Sequence, residues 1–350
     1  MKIAQIAPLI ESVPPRLYGG TERIVSYLTE ELVRKGHDVT LFASGDSQTA
    51  ARLVAVAPRA LRLEGATADP LPYIALQLEQ VRQRAAEFDV LHFHSDLIHL
   101  PLLRELLGVR ALTTLHGRLD QPPYPAVLGE FHDAPLVSIS NAQRQPVPSA
   151  NWLGTVYHGL PRSVCPFEAR PRGDYVAFIG RISPEKRPDR AIEIAARAGV
   201  KLKIAAKIDE RDQAYFHKHI EPLFGRHHVE YIGEIGERDK AAFLGNARAL
   251  LFPIDWPEPF GLVLVEAMSC GTPCIAWRTG SIPEVIDDGV TGWIVDSIEE
   301  AARAVSRAAQ LDRYAVRARF LRRFSVERMT SEYLRIYEKL DDVDADRAAA

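Results

Sequence analysis

Cysteine is scarce in this chain of 350 residues, with three in all, at Cys165, Cys270 and Cys274. So few thiols build no disulfide framework, and the single C-x3-C pair lacks the second pair of soft ligands that a zinc site needs. They fit a reducing compartment and are expected to be buried or incidental. Long apolar runs are missing as well: no 18 consecutive apolar residues occur, and Met1 to Pro8 reads as a strand without the basic-then-apolar layout of a signal peptide. A cytoplasmic location is the expectation. Charge of one sign is also lacking. A net charge of -3 and a pI near 6.4 argue against nucleic acid as the main partner. Nothing fits G-x4-G-K-[ST], which leaves ATP hydrolysis unsupported. No internal repeat is visible beyond two αβ halves, and no segment is of low complexity.

What is present is the composition of a globular protein with ample core, 47% hydrophobic and 25% charged, and a length that suits two domains of ordinary size. The first half alternates strand and helix. Residues 2–7 read as a strand, Thr21 to Lys35 as a helix with Ile24, Val25, Leu28 and Leu32 on its apolar face, and residues 38–43 as the next strand. The loop between the first strand and that helix, Pro8 to Gly20, lacks the G-x-G-x-x-G of dinucleotide folds but ends in Gly19-Gly20, where a backbone can approach a phosphate closely. Later strands over 89–93, 111–115 and 136–139 each run into polar residues: His94-Ser95-Asp96, His116-Gly117-Arg118 and Ser140-Asn141. In an open parallel sheet such strand ends line the ligand crevice. His116 is therefore the best candidate in this half, and His94 and Asp96 are candidates to face an acceptor.

Proline-rich, aperiodic sequence then marks a linker over 161–173 between a first domain at 1–160 and a second at 174–323. The alternation restarts with strands over 175–179, 201–206, 229–232, 249–253 and 273–277. After the first of these comes G-R-I-S-P-E-K, which projects Arg181 and Lys186 from a strand's carboxyl end, where two cations can neutralise a diphosphate. The chain ends in helices from about Ile298. A segment over 324–340 is placed to cross back to the first domain, and residues 341–350 are expected to fray. Arg313, Arg317, Arg319, Arg322 and Arg323 form a basic cluster on the preceding helix. It can favour an anionic membrane surface, or simply solvate an amphipathic helix, which is the favoured reading.

The most informative stretch is D-W-P-E-P-F-G-L-V-L-V-E-A-M-S-C-G, Asp255 to Gly271. Pro257 and Pro259 prevent a helix before Phe260, whereas good helix formers follow Gly261. The first turn there offers free backbone N–H groups and the positive end of a helix dipole, which suits an anion. Glu258 lies just before that end and Glu266 a turn and a half inside. Either carboxylate can accept hydrogen bonds from ligand hydroxyl groups.

Here the chain resembles the retaining glycosyltransferases of family four. E-P-F-G-x4-E is similar to their E-x7-E signature, the R-x4-K spacing of Arg181 and Lys186 to their diphosphate pair, Gly19-Gly20 to their diphosphate-contacting loop, and the T-x-H-G context of His116 to a histidine that reaches the transferred sugar. The resemblance spans nearly the whole chain and implies an α/β fold of the GT-B class: two facing Rossmann-like domains, with a C-terminal helix crossing back to the first. It implies catalytic roles for Glu258, His116, Arg181 and Lys186. The donor would be held by Gly19, Gly20, Arg181, Lys186, Ile235 in the loop Gly233 to Gly236, Glu258, Phe260, Gly261, Leu262 and Glu266. Glu266 would take the ribose and Glu258 the sugar. His158 stands where the family usually has asparagine, and Ala205-Ala206-Lys207 where it often has a glycine-rich turn.

The resulting expectation is an enzyme that moves a hexosyl group from a UDP-, GDP- or ADP-sugar to a hydroxyl acceptor, with retention, without a cofactor and without a divalent metal. Asp-x-Asp, the motif that holds such a metal, occurs only in the tail at Asp342 to Asp346. A nucleotide-sugar epimerase of the same fold class and a non-catalytic nucleotide-sugar-binding protein remain the alternatives.

Overall fold

The computed structural model describes residues 1–16, 19–64, 69–106 and 109–349, with side chains throughout these except at 64, 238 and 341–349. The chain forms two compact units, Met1–Gly159 together with Val326–Ala350, and Leu160–Ser325.

The first unit is built on seven strands: β1 (Lys2–Ile6), β2 (Asp38–Ser44), β3 (Arg52–Ala57), β4 (Val90–Phe93), β5 (Ala111–Thr114), β6 (Leu136–Ser138) and β7 (Trp152–Thr155). They lie in the order β3-β2-β1-β4-β5-β6-β7, every pair parallel. Because both faces of a parallel sheet are covered, its inner strands are largely apolar rather than alternating. Ile3, Ala4, Ile6, Val90, Leu91 and Phe93 are accordingly all buried. The helix Gly20–Arg34 lays Ile24, Val25, Leu28 and Leu32 into that core. β3 and β7 escaped the sequence reading. Both are short edge strands with half-buried residues, so neither shows the apolar run of a central strand.

The second unit repeats the plan with β8 (Tyr175–Arg181), β9 (Lys201–Lys207), β10 (Val229–Gly233), β11 (Leu250–Phe252), β12 (Cys274–Trp277) and β13 (Gly292–Val295). Their order is β10-β9-β8-β11-β12-β13, again all parallel. In each sheet the order reverses between the first and fourth strands, β1 and β4 or β8 and β11. Loops leaving the carboxyl ends of such a pair diverge and open a crevice.

The last helix, Val326–Ala349, belongs to the first unit although it follows the second in sequence. Val326, Met329, Thr330, Tyr333, Tyr337 and Leu340 are all buried, the stripe that helical periodicity sets on one face. The helix also runs past Leu340 into the segment expected to fray, since nothing from Asp341 to Ala349 is a proline or glycine that would stop it. Tyr333 donates to or accepts from Thr114 Oγ1 at 3.0 Å, and the Tyr337 hydroxyl meets Gln5 Nε2 at 3.3 Å and His92 Nδ1 at 2.7 Å. Burial of the ring should therefore outweigh these bonds. Tyr337→Phe is expected to cost about 1 to 3 kcal/mol through its unsatisfied partners, and Tyr337→Ala about 3 to 5 kcal/mol through the cavity. Urea unfolding curves check this; equal losses for the two variants contradict it.

Candidate functional site

In the second unit, β8 leads through Arg181 into a short turn of helix, Pro184–Lys186, and its neighbour β11 leads into the loop before the helix Leu262–Ser269. The reversal of strand order thus sets Lys186 against Glu258, 72 positions away in sequence. The Lys186 ammonium donates to Glu258 Oε2 at 2.7 Å, and the indole N–H of Trp256 donates to the same oxygen at 2.8 Å. The ammonium also sits 4.7 Å from the centre of the Trp256 ring, within cation–π range.

Gly280 fixes the loop from outside. Its φ is 51°, and a Cβ there would lie 2.4 Å from the Glu258 carbonyl oxygen and 2.5 Å from the Glu258 nitrogen. With no side chain in the way, Ser281 N–H reaches the Glu258 carbonyl at 3.0 Å. Neither Trp256 nor Gly280 was singled out from sequence. The indole lies inside the quoted motif, but Gly280 lies beyond it, past the strand Cys274–Trp277.

Arg181 is less open than its place at a strand end suggests. It is hydrogen-bonded to Glu185 and lies 3.3 Å from Asp212 and 3.6 Å from Asp209, which in turn pairs with Lys207 at 2.9 Å. Burial, with Glu185 and Asp209 adding to it against the pull of Arg181, raises the Asp212 carboxyl above its usual range.

Glu266 is 4% exposed, and its Oε1 accepts from Lys240 Nζ at 2.5 Å. Lys240 comes from the helix Glu237–Gly245, which begins directly after the loop carrying half-buried Ile235. No local pattern announces Lys240, because its partner is supplied by another helix. The carboxyl end of the Glu266 helix is tied down by two arginines of the basic cluster. Arg317 donates to the Ser269 carbonyl, and Arg313 to the Cys270 carbonyl at 3.4 Å, to Thr272 Oγ1 at 2.7 Å and to the Gly245 carbonyl at 2.7 Å. Arg323 and Arg319 pair with Asp287. The expectation of a solvated or membrane-facing cluster is thus corrected for these four: orphan carbonyls at helix ends and one carboxylate take their guanidinium groups. Arg322 alone of the five is exposed.

In the first unit, Gly19 precedes the helix Gly20–Arg34 with φ 151°, and a Cβ there would fall 2.7 Å from Pro15 Cβ. A Cβ on Gly20 meets nothing within 4 Å. The Glu11 side chain also lies close to Gly19 and pairs with Arg62 at 2.5 Å, while Glu22 in the first turn of the helix is buried, which raises its pKa. Beyond β4 and β5, His94 Nδ1 meets His116 Nε2 at 3.0 Å, His94 Nε2 meets Gln5 Oε1 at 2.7 Å, and the His116 ring stacks on His158 at 5.2 Å. His94 is buried with both ring nitrogens engaged, so it has nothing to present to an acceptor, whereas Asp96 is exposed. All three cysteines are free and buried. Among the described residues no group of three or more His, Cys, Asp or Glu is arranged to hold a metal ion.

The family described as Glycosyltransferase Family 4 matches residues 18–152, and the family described as Glycosyl transferases group 1 matches residues 167–320. This chain is a glycosyltransferase. The D-inositol 3-phosphate glycosyltransferase of Mycolicibacterium smegmatis is 27% identical to it over 361 residues, covering 84% of this chain and 79% of that protein. The phosphatidyl-myo-inositol mannosyltransferase of Mycobacterium leprae is 28% identical over 387 residues, covering 97% and 96%. Among solved structures, Anabaena HepE in complex with UDP and glucose superposes with a TM-score of 0.73 at 20% identity, covering 97% of this chain and all of that one. The two parallel sheets and these likenesses make the fold GT-B.

The histidines of the glycosyltransferase's first unit carry a further consequence. Burial lowers His92, His94, His99, His116 and His158, with His99 and His116 brought to about 3 from the ordinary 6.5. Below 6.5 the unfolded chain protonates these imidazoles while the folded chain keeps them neutral. Stability is therefore unaffected above 6.5 and lost as pH falls from there toward about 3. Each such histidine contributes a slope of about 1.4 kcal/mol per pH unit. The urea midpoint of the first unit, followed by its own tyrosine or histidine signals, is expected to drop between about pH 7 and about pH 5. An unchanged midpoint refutes the neutral assignment.

Proposed function

We propose that this glycosyltransferase moves a hexosyl group from a nucleoside-diphosphate sugar to a hydroxyl acceptor, with retention of configuration and without a divalent metal. The observation that carries the reading is the contact of Lys186 with Glu258, at the carboxyl ends of β8 and β11 and just ahead of the helix Leu262–Ser269. A cation, a carboxylate and a helix amino end together suit a ligand with an anionic and a polyhydroxyl part. Lys186 exchanges Glu258 for the diphosphate when the donor arrives, and the freed Glu258 carboxylate accepts from the sugar hydroxyls. Arg181, drawn from its carboxylates, adds the second cation. Glu266, held by Lys240, accepts from the ribose hydroxyls, and backbone at Ile235 meets the base. Phe260, Gly261 and Leu262 offer backbone to the phosphates. In the first unit, the family resemblance makes Gly19 and Gly20 candidates to contact the diphosphate and His116 a candidate to contact the transferred sugar. Asp96 is the acceptor-side candidate that remains exposed.

Several findings support the nucleotide sugar: HepE was solved with UDP and glucose, and one relative is named a mannosyltransferase. The acceptors in two relatives' names, D-inositol 3-phosphate and phosphatidyl-myo-inositol, make phosphorylated polyols the first acceptors to try. Retention follows if the departing phosphate takes the acceptor's proton on the face it leaves, so that the substrate serves as its own base. Two fixed cations and a preorganised dipole supply the charge that a metal would otherwise bring.

The test is nucleoside diphosphate release from UDP-, GDP- and ADP-sugars, with and without acceptors, in the presence and absence of EDTA. Release that rises with acceptor, an α-linked first product from an α-linked donor by proton NMR, and a rate within about twofold under EDTA are expected. Arg181→Ala or Lys186→Ala should lower that rate at least about tenfold, roughly 1.4 kcal/mol of transition-state stabilisation. A β-linked product sinks retention, and activity lost to EDTA and restored by magnesium or manganese sinks metal independence.

A further inference from the structure

The histidine contacts of the first unit form one continuous chain of hydrogen bonds whose direction can be read from its atoms. It starts at Gln5 on β1. Gln5 Oε1 lies 2.7 Å from His94 Nε2, and an amide oxygen only accepts, so His94 carries its proton on Nε2. Burial and the neighbouring imidazoles keep His94 neutral, so its Nδ1 is a bare lone pair. His116 Nε2, 3.0 Å from that lone pair, must then be the N–H. His116 Nδ1 is consequently an acceptor. It is buried and has no hydrogen-bond partner among the described residues.

The other arm of Gln5 agrees. Its Nε2 donates to the Tyr337 hydroxyl at 3.3 Å, Tyr337 donates to His92 Nδ1 at 2.7 Å, and His92 Nε2 donates to Thr114 Oγ1 at 2.7 Å. Thr114 passes the last bond to the Tyr333 hydroxyl at 3.0 Å. Turning the Gln5 amide over would reverse every bond and put the proton of His116 on Nδ1. It would also place two nitrogens 2.7 Å apart at His94, tight for N–H···N, while 2.7 Å is ordinary for N–H···O.

We infer that Gln5 and His94 are positioning residues for His116, holding its imidazole in the Nε2–H form with Nδ1 left as the one ring acceptor for a hydroxyl group of the transferred sugar. This rests on the reading of His116 as a sugar contact. The stack with His158 at an interplanar angle of 19° fixes the ring plane, while the chain fixes which nitrogen bears the proton. A buried acceptor without a partner is costly in a folded protein, and a ligand hydroxyl is the group that satisfies it.

The experiment has two arms. In the first, full-length protein carrying 15N-labelled histidine is observed by two-bond proton–nitrogen correlation near neutral pH, with the His116 signals assigned by comparison with His116→Gln. A protonated Nε2 and a bare Nδ1 are expected for His116. The opposite pattern overturns the inference. In the second, kcat and nucleotide affinity are measured with the donor found by the release screen. Gln5→Leu and His94→Leu should show mixed His116 tautomers and lower kcat at least about fivefold, with nucleotide affinity within about twofold. His94→Asn, whose Oδ1 takes the place of Nδ1, should recover at least half of the kcat. Leucine variants whose kcat stays within about twofold, while His116→Ala is slow, overturn the positioning role. If His116→Ala is itself as fast as the wild type, the sugar contact fails and with it the catalytic part of the inference, and the nitrogen spectra still decide the tautomer.

Discussion

The contact between the Lys186 ammonium and the Glu258 carboxylate is the constraint around which the second unit is arranged. It exists only because β8 and β11 are neighbours with their carboxyl ends aligned, so the strand order itself delivers a cation and an anion to one place. Both groups are half-buried, and neither is left uncompensated: the indole of Trp256 donates to the carboxylate and its ring faces the ammonium. A pair held this way stores its charges ready for exchange. On the function proposed above, an incoming diphosphate would replace the carboxylate at Lys186 and sugar hydroxyls would replace the ammonium as donors to Glu258, leaving no charge exposed unpaired during the change.

Preorganisation of that site depends on the helix Leu262–Ser269 being held at both ends. At its amino end, Gly280 and Ser281 clasp the Glu258 backbone. At its carboxyl end Arg317 and Arg313 take the Ser269 and Cys270 carbonyls, and the same two arginines donate to the carbonyls of Arg162, Cys165 and Glu168 in the segment entering the unit. A helix gripped at both ends keeps its dipole and its N–H groups aimed without paying for reorientation when a ligand binds. The arginines therefore serve the site from the far end of its helix. Their effect is mechanical, through carbonyl groups, rather than electrostatic attraction of a surface.

How much of this could be read from the sequence follows from the range of each interaction. Central strands such as β1, β8 and β11 declare themselves because burial on both faces makes them largely apolar, whereas β3, β7 and β13 lie at sheet edges and blend with their surroundings. The stretch from Asp255 to Gly271 was legible because prolines, a glycine and an apolar run set its loop and helix locally. Lys240, Gly280 and Gln5 were not legible, since each matters through a partner 26, 22 or 89 positions away. The arginine cluster misled for the same reason: periodicity sees a basic helix and cannot see carbonyl groups brought to it by other elements. His94 illustrates the converse, for a polar residue at a strand end is a ligand candidate by position, yet here both its nitrogens are used inside the unit.

The candidate residues of the two units differ in chemistry. In the second, the candidate residues are ionised groups in opposite-charge pairs: Arg181 among Glu185, Asp209 and Asp212, Lys186 with Glu258, Lys240 with Glu266. Such groups suit a diphosphate, whose charge must be met by charge. In the first, candidate His94 is buried and His116 half-buried, both kept neutral, and the chain they belong to runs through hydroxyl and amide groups that carry no net charge. Neutral donors and acceptors distinguish one hydroxyl group from another by direction, and they do so best where water is excluded and each atom has one permitted role. An ionised histidine here would be held away from water and would lose its acceptor nitrogen. Keeping the cluster neutral thus suits the sugar contact proposed for the first unit, and the same burial imposes its acid sensitivity.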